Sequence, residues 1–168
     1  MKIFLVGLPG SGKSTLGKQL AGKLNFSFID LDTEIEKSIG LSVKSIFKQY
    51  GESFFRKEES EMLHRLGESN ESMVIATGGG APVYFDNMKY MNTRGQTIFL
   101  DVPPREIATR IQNSKKEERP LLANLAPDEL KDQIEFLRSQ RISFYNQAHH
   151  RLTGIVQIAD LLHVLNVP

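Results

Sequence analysis

Residues 7–14 read GLPGSGKS, a match to G-x-x-x-x-G-K-[ST] lying between the apolar run IFLV and the segment KSTLGKQLAGKL. Between a strand and a helix, such glycines let successive backbone N–H groups curl around phosphate oxygens, while the helix turns its positive end toward them. Gly10, Ser11, Gly12, Lys13, Ser14 and Thr15 are therefore read as the phosphate cradle. Lys13 would reach the β- and γ-phosphates and the Ser14 hydroxyl a Mg²⁺ ion. A turn alone would not require Lys and Ser directly after the last glycine. The chemistry implied is that of a nucleoside triphosphate with Mg²⁺.

Such a site takes a carboxylate from the end of a neighbouring strand. Two acids qualify, Asp101 at the end of TIFLD and Asp30 in FIDLD. Asp101 closes the better hydrophobic run, whereas Asp30 lies on the strand reached directly from the phosphate-loop helix. Asp32 follows Asp30 by two residues, so both face one side if the chain stays extended. Like charges that close need a cation or a division of labour. The alternative is structural: Asp30 ends the strand and Asp32 caps the helix that follows.

Transfer to an acceptor requires a group at the reacting hydroxyl and a binder for the rest of the molecule. Arg56, in GESFFRKEES, precedes Glu59 by three residues, so on a helix Glu59 can steer the guanidinium. The plain alternative is an exposed ion pair worth only about 0.2–0.5 kcal/mol. Arg141 occupies the apolar stripe Leu130, Ile134, Leu137, Phe144, Ala148. A charge placed there needs a partner, either an internal acid or an anionic ligand. Two arginines converging on one pocket would suit a carboxylate or phosphate. Gly78, Gly79 and Gly80 follow MVIAT, and three in a row imply either backbone approached closely by a ligand or a mobile loop. Arg119, held out of helix by Pro120, stands either in a solvated charge run, SKKEER, or on a lid over the transferring group.

The elements that must position these residues alternate. IFLV, SFI, MVIAT and TIFLDV are short buried strands, the last two stopped by GGG and PP, and HHRLT is the weakest strand. Helices are expected at KSTLGKQLAGKL, at TEIEKSIG and SVKSIFKQYG with closing glycines, and from Ser53 as N-cap to Leu66. Further helices are PREIATRIQ, a long one opened by Pro127, and IVQIADLLHVL. This is an α/β domain with a parallel sheet covered on both faces and ligands at the carboxyl ends of its strands.

A length of 168 residues with 40% hydrophobic content suits one domain, 1–168, with a sizeable core. The net charge of +1 offers no broad field for nucleic acid or an anionic membrane. With no cysteine there is no thiolate nucleophile, disulfide or Cys-ligated metal, which suits the cytoplasm. MKIFLVGL is cut short by Pro9, Gly10 and Gly12, so it reads as a first strand rather than a signal peptide. No apolar segment approaches the ~18 residues needed to span a bilayer. The four histidines show no ligand-like spacing.

Taken in order, GLPGSGKS, the D-x-D of FIDLD, GESFFRKEE, ATGGG, ERPLL and RISFY resemble the shikimate kinase family, within the nucleoside-monophosphate-kinase-like branch of P-loop proteins. The resemblance runs from the phosphate loop to about Tyr145. It implies a three-layer α/β/α sandwich with a five-stranded parallel sheet of order 2-3-1-4-5, an acceptor-binding insertion at about 32–61 and a lid at about 112–125. It also implies ATP and Mg²⁺, shikimate as acceptor, and a monomer. Asp30 would act on Mg²⁺ and Asp32 on the acceptor hydroxyl. Arg56 and Arg141 would grip the shikimate carboxylate, Gly78 to Gly80 would contact the substrate, and Arg119 would be the lid arginine. Lys13, Asp32 and Arg119 would be the catalytic residues. The chain departs from the pattern at Ser143, where the family often has Pro, and at Gln112, where an adenine-stacking arginine is common; Arg110 is nearby. Rival readings are a kinase of gluconate or a nucleotide, and a nucleotide-dependent switch, against which the absence of an Asn-Lys-x-Asp stretch counts.

Overall fold

The computed structural model describes residues 1–113 and 126–167. Strand β1 (Lys2–Val6) is buried along its whole length. Its alternating side chains serve two cores, as expected of a central strand covered on both faces. Phe4 and Val6 join one core, and Ile3 and Leu5 the other. Helix α1 (Lys13–Leu24) follows the phosphate loop and closes at Asn25 in the left-handed region. Strand β2 (Ser27–Asp30) runs straight into helix α2 (Leu31–Ile39), which ends on Gly40.

Helix α3 (Val43–Glu68) contains both helices expected between Ser42 and Leu66. They meet at Gly51, whose φ of 83° breaks the helix without ending it. The N-cap is Ser42, accepting from the Ser45 amide; Ser53 is not a cap, because the second half resumes directly after Gly51. Strand β3 (Met73–Ala76), a 3₁₀ turn (Ala81–Val83), helix α4 (Asn87–Arg94) and strand β4 (Gln96–Asp101) come next. Helices α5 (Pro104–Asn113) and α6 (Pro127–Tyr145), strand β5 (His150–Thr153) and helix α7 (Ile158–Val164) complete the described chain. Helix α6 runs through Ser143 without a break.

All strand pairs are parallel, in the order β2-β3-β1-β4-β5. The weak strand HHRLT is real and forms the β5 edge against β4. On one face of the sheet Phe4, Ile75 and Phe99 pack with Ile46, Phe55, Leu63, Met88, Leu130 and Tyr145. On the other, Leu5, Val74 and Ile98 meet Leu20, Ala21 and Leu161. Each such side chain contributes about 1.5–3 kcal/mol of burial. The order places β1 between β3 and β4, so the phosphate loop after β1 opens between the strands ending in the triple glycine and in Asp101. Among the described residues no helix is long and apolar enough to cross a membrane.

Candidate active site

The phosphate loop adopts the conformation its glycines permit. Gly10 and Gly12 have φ of 87° and 96°, a region that side-chain-bearing residues rarely enter, and Gly12 is the N-cap of α1. Lys13 is buried and lies back across the loop, donating to the carbonyls of Gly7 and Leu8 at 2.9 Å each. The Ser14 hydroxyl donates to Asp30 Oδ2 at 2.7 Å. Together they offer the hard oxygen ligands Mg²⁺ takes, which beside a nucleotide are few on the protein because phosphates and water supply the rest. The residues present fit a Mg²⁺ ion between the loop and β2. Arg110 also abuts the loop, donating to the Ser11 carbonyl at 3.3 Å.

The choice between Asp30 and Asp101 is made by partners. Asp101 is buried and receives Arg138 at 3.0 Å and Arg151 at 2.6 Å, an ion-pair cluster joining β4, α6 and β5. A cavity of about 470 Å³ lies against that cluster, but both its guanidiniums are engaged by Asp101. A smaller cavity, about 210 Å³, is lined by Gly12, Lys13, Ser14, Asp30, Asp32 and Gly78, and holds the chemistry.

Asp30 and Asp32 are not arranged as a strand would arrange them. The strand stops at Asp30 and the helix begins at Leu31, so the two acids straddle a junction. The cap is Asp30, whose side chain accepts from the Thr33 amide at 3.4 Å; Asp32 stands inside the first turn. One carboxylate therefore serves both a helix end and the Ser14 hydroxyl, and both acids line the cavity. Asp32 Oδ1 is buried with no hydrogen-bond partner among the described residues. Burial pushes the Asp32 carboxyl above its ordinary range and the Asp30 charge adds to this, while Lys13 and Arg56 pull it back only in part.

Arg56 and Glu59 are far from an exposed pair. Glu59 is fully buried and accepts from Arg56 Nη1 at 2.8 Å. Burial pushes Glu59 up to about 7 despite that partner. For Arg56, burial works against the charge, but Glu59 and Glu52 outweigh it and raise its pKa further. Nε and Nη2 of Arg56 both reach Glu52 Oε1 at 3.2 Å. A guanidinium has five donors. One N–H on each terminal nitrogen thus remains without a described protein partner, and paired guanidinium N–H groups are what a carboxylate takes in bidentate fashion.

The three glycines explain how these side chains meet. A Cβ on Gly78 would lie 2.6 Å from Glu59 Oε1 and 3.0 Å from Asp32 Oδ1; on Gly79, 3.1 Å from Arg141 Nη1; on Gly80, 2.5 Å from Arg56 Nη2. The close approach to this loop is made by the protein's own charged groups, and Tyr145 secures it by donating to the Gly79 carbonyl at 2.5 Å. Arg141 is half-buried rather than core, and no described acid lies within ion-pair distance of it. Its positive field reaches Glu59 and the Tyr145 hydroxyl. Arg119, and the expected lid beyond Asn113, lie outside the described residues. Sequence reasoning missed Glu52, four residues before Arg56 and legible by that spacing, and Tyr84, which no local signal marks.

A parallel sheet of this order, with a phosphate loop, a Ser-Asp pair for Mg²⁺ and an acid and arginines beside it, defines a P-loop phosphotransferase of the nucleoside-monophosphate-kinase-like fold that uses ATP and Mg²⁺. The shikimate kinase family model matches residues 9–158, and the chain belongs to that family. It is 47% identical over 150 residues to a shikimate kinase of Bacteroides fragilis, covering 89% of this chain and 83% of that one. Its structure superposes on a shikimate kinase of Bacteroides thetaiotaomicron with a TM-score of 0.93 at 39% identity, covering 99% of both chains. The shikimate kinase of Acinetobacter baumannii in complex with shikimate gives 0.85 at 31% identity, covering 98% of this chain and 93% of that one.

Proposed function

We propose that the chain transfers the γ-phosphoryl group of ATP to the 3-hydroxyl of shikimate, giving ADP and shikimate 3-phosphate, with the following division of labour. Gly10, Ser11, Gly12, Lys13, Ser14 and Thr15 hold the phosphates. Ser14 and Asp30 hold Mg²⁺, which when bound neutralises charge on the phosphate oxygens. Arg56, through its two remaining donors, and Arg141 grip the carboxylate of the acceptor. Gly78, Gly79 and Gly80 line its other side. Asp32 orients the acceptor hydroxyl and takes its proton as the hydroxyl oxygen bonds to the γ-phosphorus and the bond to the β-phosphate oxygen breaks. A carboxyl raised above its usual range is a better proton acceptor than an ordinary aspartate. Lys13 and Arg119, the latter assigned from the E-R-P-L-L motif alone, stabilise charge on the transferred group.

The observation that carries this reading is that Asp32, its carboxyl raised above the ordinary range, lines the phosphate-loop cavity, with an arginine nearby that keeps two N–H groups without a described protein partner. An acceptor bearing both a hydroxyl and a carboxylate answers both. Residues 32–61, covering α2 and the first part of α3, form the acceptor-binding insertion on this reading, and 112–125 the lid. On this reading the chain is a cytoplasmic monomer, and its balanced charge offers no broad field for nucleic acid or an anionic membrane. A coupled assay for ADP release tests the function: shikimate should support turnover, and gluconate and mononucleotides should not. Folded protein that releases no ADP with shikimate, ATP and Mg²⁺ would sink it.

A further inference from the structure

Glu52 is half exposed, and an ion pair of that kind is worth little by itself. Yet Glu52 Oε1 is the single oxygen that takes both Nε and Nη2 of Arg56 and so sets the plane of the guanidinium. Something must hold it. The Tyr84 hydroxyl donates to the same Oε1 at 3.2 Å, and the Tyr84 ring lies 4.7 Å from the Arg56 guanidinium carbon. The rings of Phe55 and Phe47 stand farther off, at 5.3 and 5.9 Å. Gly80 passes close to Nη2 of the same group.

Tyr84 is in turn fixed from outside the site. It follows the 3₁₀ turn that begins after Gly80, and its carbonyl accepts from the Asn87 amide at 2.9 Å. Asn87 is fully buried; its side chain donates to the Ala81 carbonyl at 2.9 Å and accepts from Ser60 on α3 at 2.8 Å. The turn carrying Tyr84 is thus bolted to the helix that carries Arg56.

We propose that Tyr84 is a positioning residue for acceptor binding, which stacks on the Arg56 guanidinium and anchors Glu52 so that the two remaining Arg56 donors face the acceptor carboxylate. This rests on Arg56 being a carboxylate-binding residue. The ring supplies attraction to the cation, stronger where water is excluded, and the hydroxyl supplies orientation. Pre-ordering a long side chain also spares the acceptor the entropic cost of immobilising it.

The test measures kcat and both KM values for the full chain carrying Tyr84→Ala, Tyr84→Phe, Arg56→Lys, and Tyr84→Ala with Arg56→Lys. Tyr84→Ala should raise the shikimate KM about tenfold and Tyr84→Phe about threefold, with the ATP KM unmoved and kcat changed much less. In the Arg56→Lys background Tyr84→Ala should add little, since the group it positions is gone. A shikimate KM within about twofold of wild type for Tyr84→Ala overturns the proposal, as does an equal loss in both backgrounds. If Tyr84→Ala does not fold, Tyr84→Phe decides, an unchanged shikimate KM again counting against it. A normal shikimate KM for Arg56→Lys overturns the reading of Arg56 itself, whereas an Arg56-sensitive enzyme with a silent Tyr84 overturns only the role of Tyr84.

Discussion

Two acids two residues apart stand in different surroundings here because a helix starts between them. Asp30 spends one oxygen on the Thr33 amide and the other on Ser14, while Asp32 lines the cavity and has one buried oxygen, beside Gly78, without a hydrogen-bond partner among the described residues. On that division, Asp32→Asn should lower kcat by about 10² or more, the usual worth of a general base, and leave the KM for ATP unchanged. Asp30→Asn should instead raise the Mg²⁺ concentration needed for half-maximal rate. Steady-state kinetics across shikimate, ATP and Mg²⁺ separates the two, and equal loss of turnover and ATP affinity in Asp32→Asn would assign that acid to the metal. Arg141→Leu should raise the shikimate KM without lowering Tm, because the residue is half-buried beside Tyr145 and Gly79 and has no ion pair to break among the described residues. A Tm collapse would mean that Arg141 serves the fold.

At the scale of elements, the proposed acceptor site is assembled by a loop between β3 and α4 pressed against α2, α3 and α6. The triple glycine lets it come that close, and Tyr145 and Asn87 keep it there. Asp101 does a comparable service at the far edge, where its two ion pairs tie α6 and β5 to β4. Since α6 carries Arg141 one turn beyond Arg138, that clamp also sets the height of the arginine proposed to bind the acceptor. Asp101→Asn should cost about 2 kcal/mol of stability, the worth of hydrogen bonds to charged groups, and urea denaturation will measure it. The Mg²⁺ requirement should not change, because the acid at Ser14 is Asp30.

For the molecule as a whole, the buried Glu59 makes stability depend on pH. Its pKa rises from an ordinary 4.5 to about 7 on folding, so the folded chain binds the proton more tightly than the unfolded one. The stabilisation this brings is complete below about pH 4.5 and fades as pH climbs through about 7. Relative to Glu59→Gln, which lacks the titration, the wild type should therefore lose Tm between pH 5 and 8, and parallel melting curves over that range would count against a raised Glu59. Shikimate should stabilise the chain as any ligand of the native state does, by about 2.7 kcal/mol at a hundred times its Kd. That shift should vanish in the double variant Arg56→Lys, Arg141→Leu, which thermal melting with and without shikimate will show.

The amino-acid order by itself determined the phosphate loop, the parallel α/β class and the set of charged residues at the site. These are local signals: glycines, a Lys-Ser pair and apolar runs cut off by breakers act within a few residues of themselves, and the D-x-D, G-E-x-x-F-R-x-x-E, T-G-G-G and R-P-L-L stretches, in that order after GLPGSGKS, carried the family likeness. Helix α4 was not legible because Asp86, in the left-handed region, gives no usual cap signal, and Gly51 looked like an end because a φ of 83° terminates most helices. What only the tertiary structure decided was pairing. Asp30 rather than Asp101 meets Ser14 because β2 and α1 converge while Asp101 is claimed by arginines from α6 and β5. Helix spacing already brings Glu52 and Glu59 to Arg56, but Tyr84 reaches it only because a glycine loop brings β3's end onto α3. The free energy of a buried charge depends on what surrounds it in space, and residues many helical turns apart in the chain leave no periodic trace of such contact.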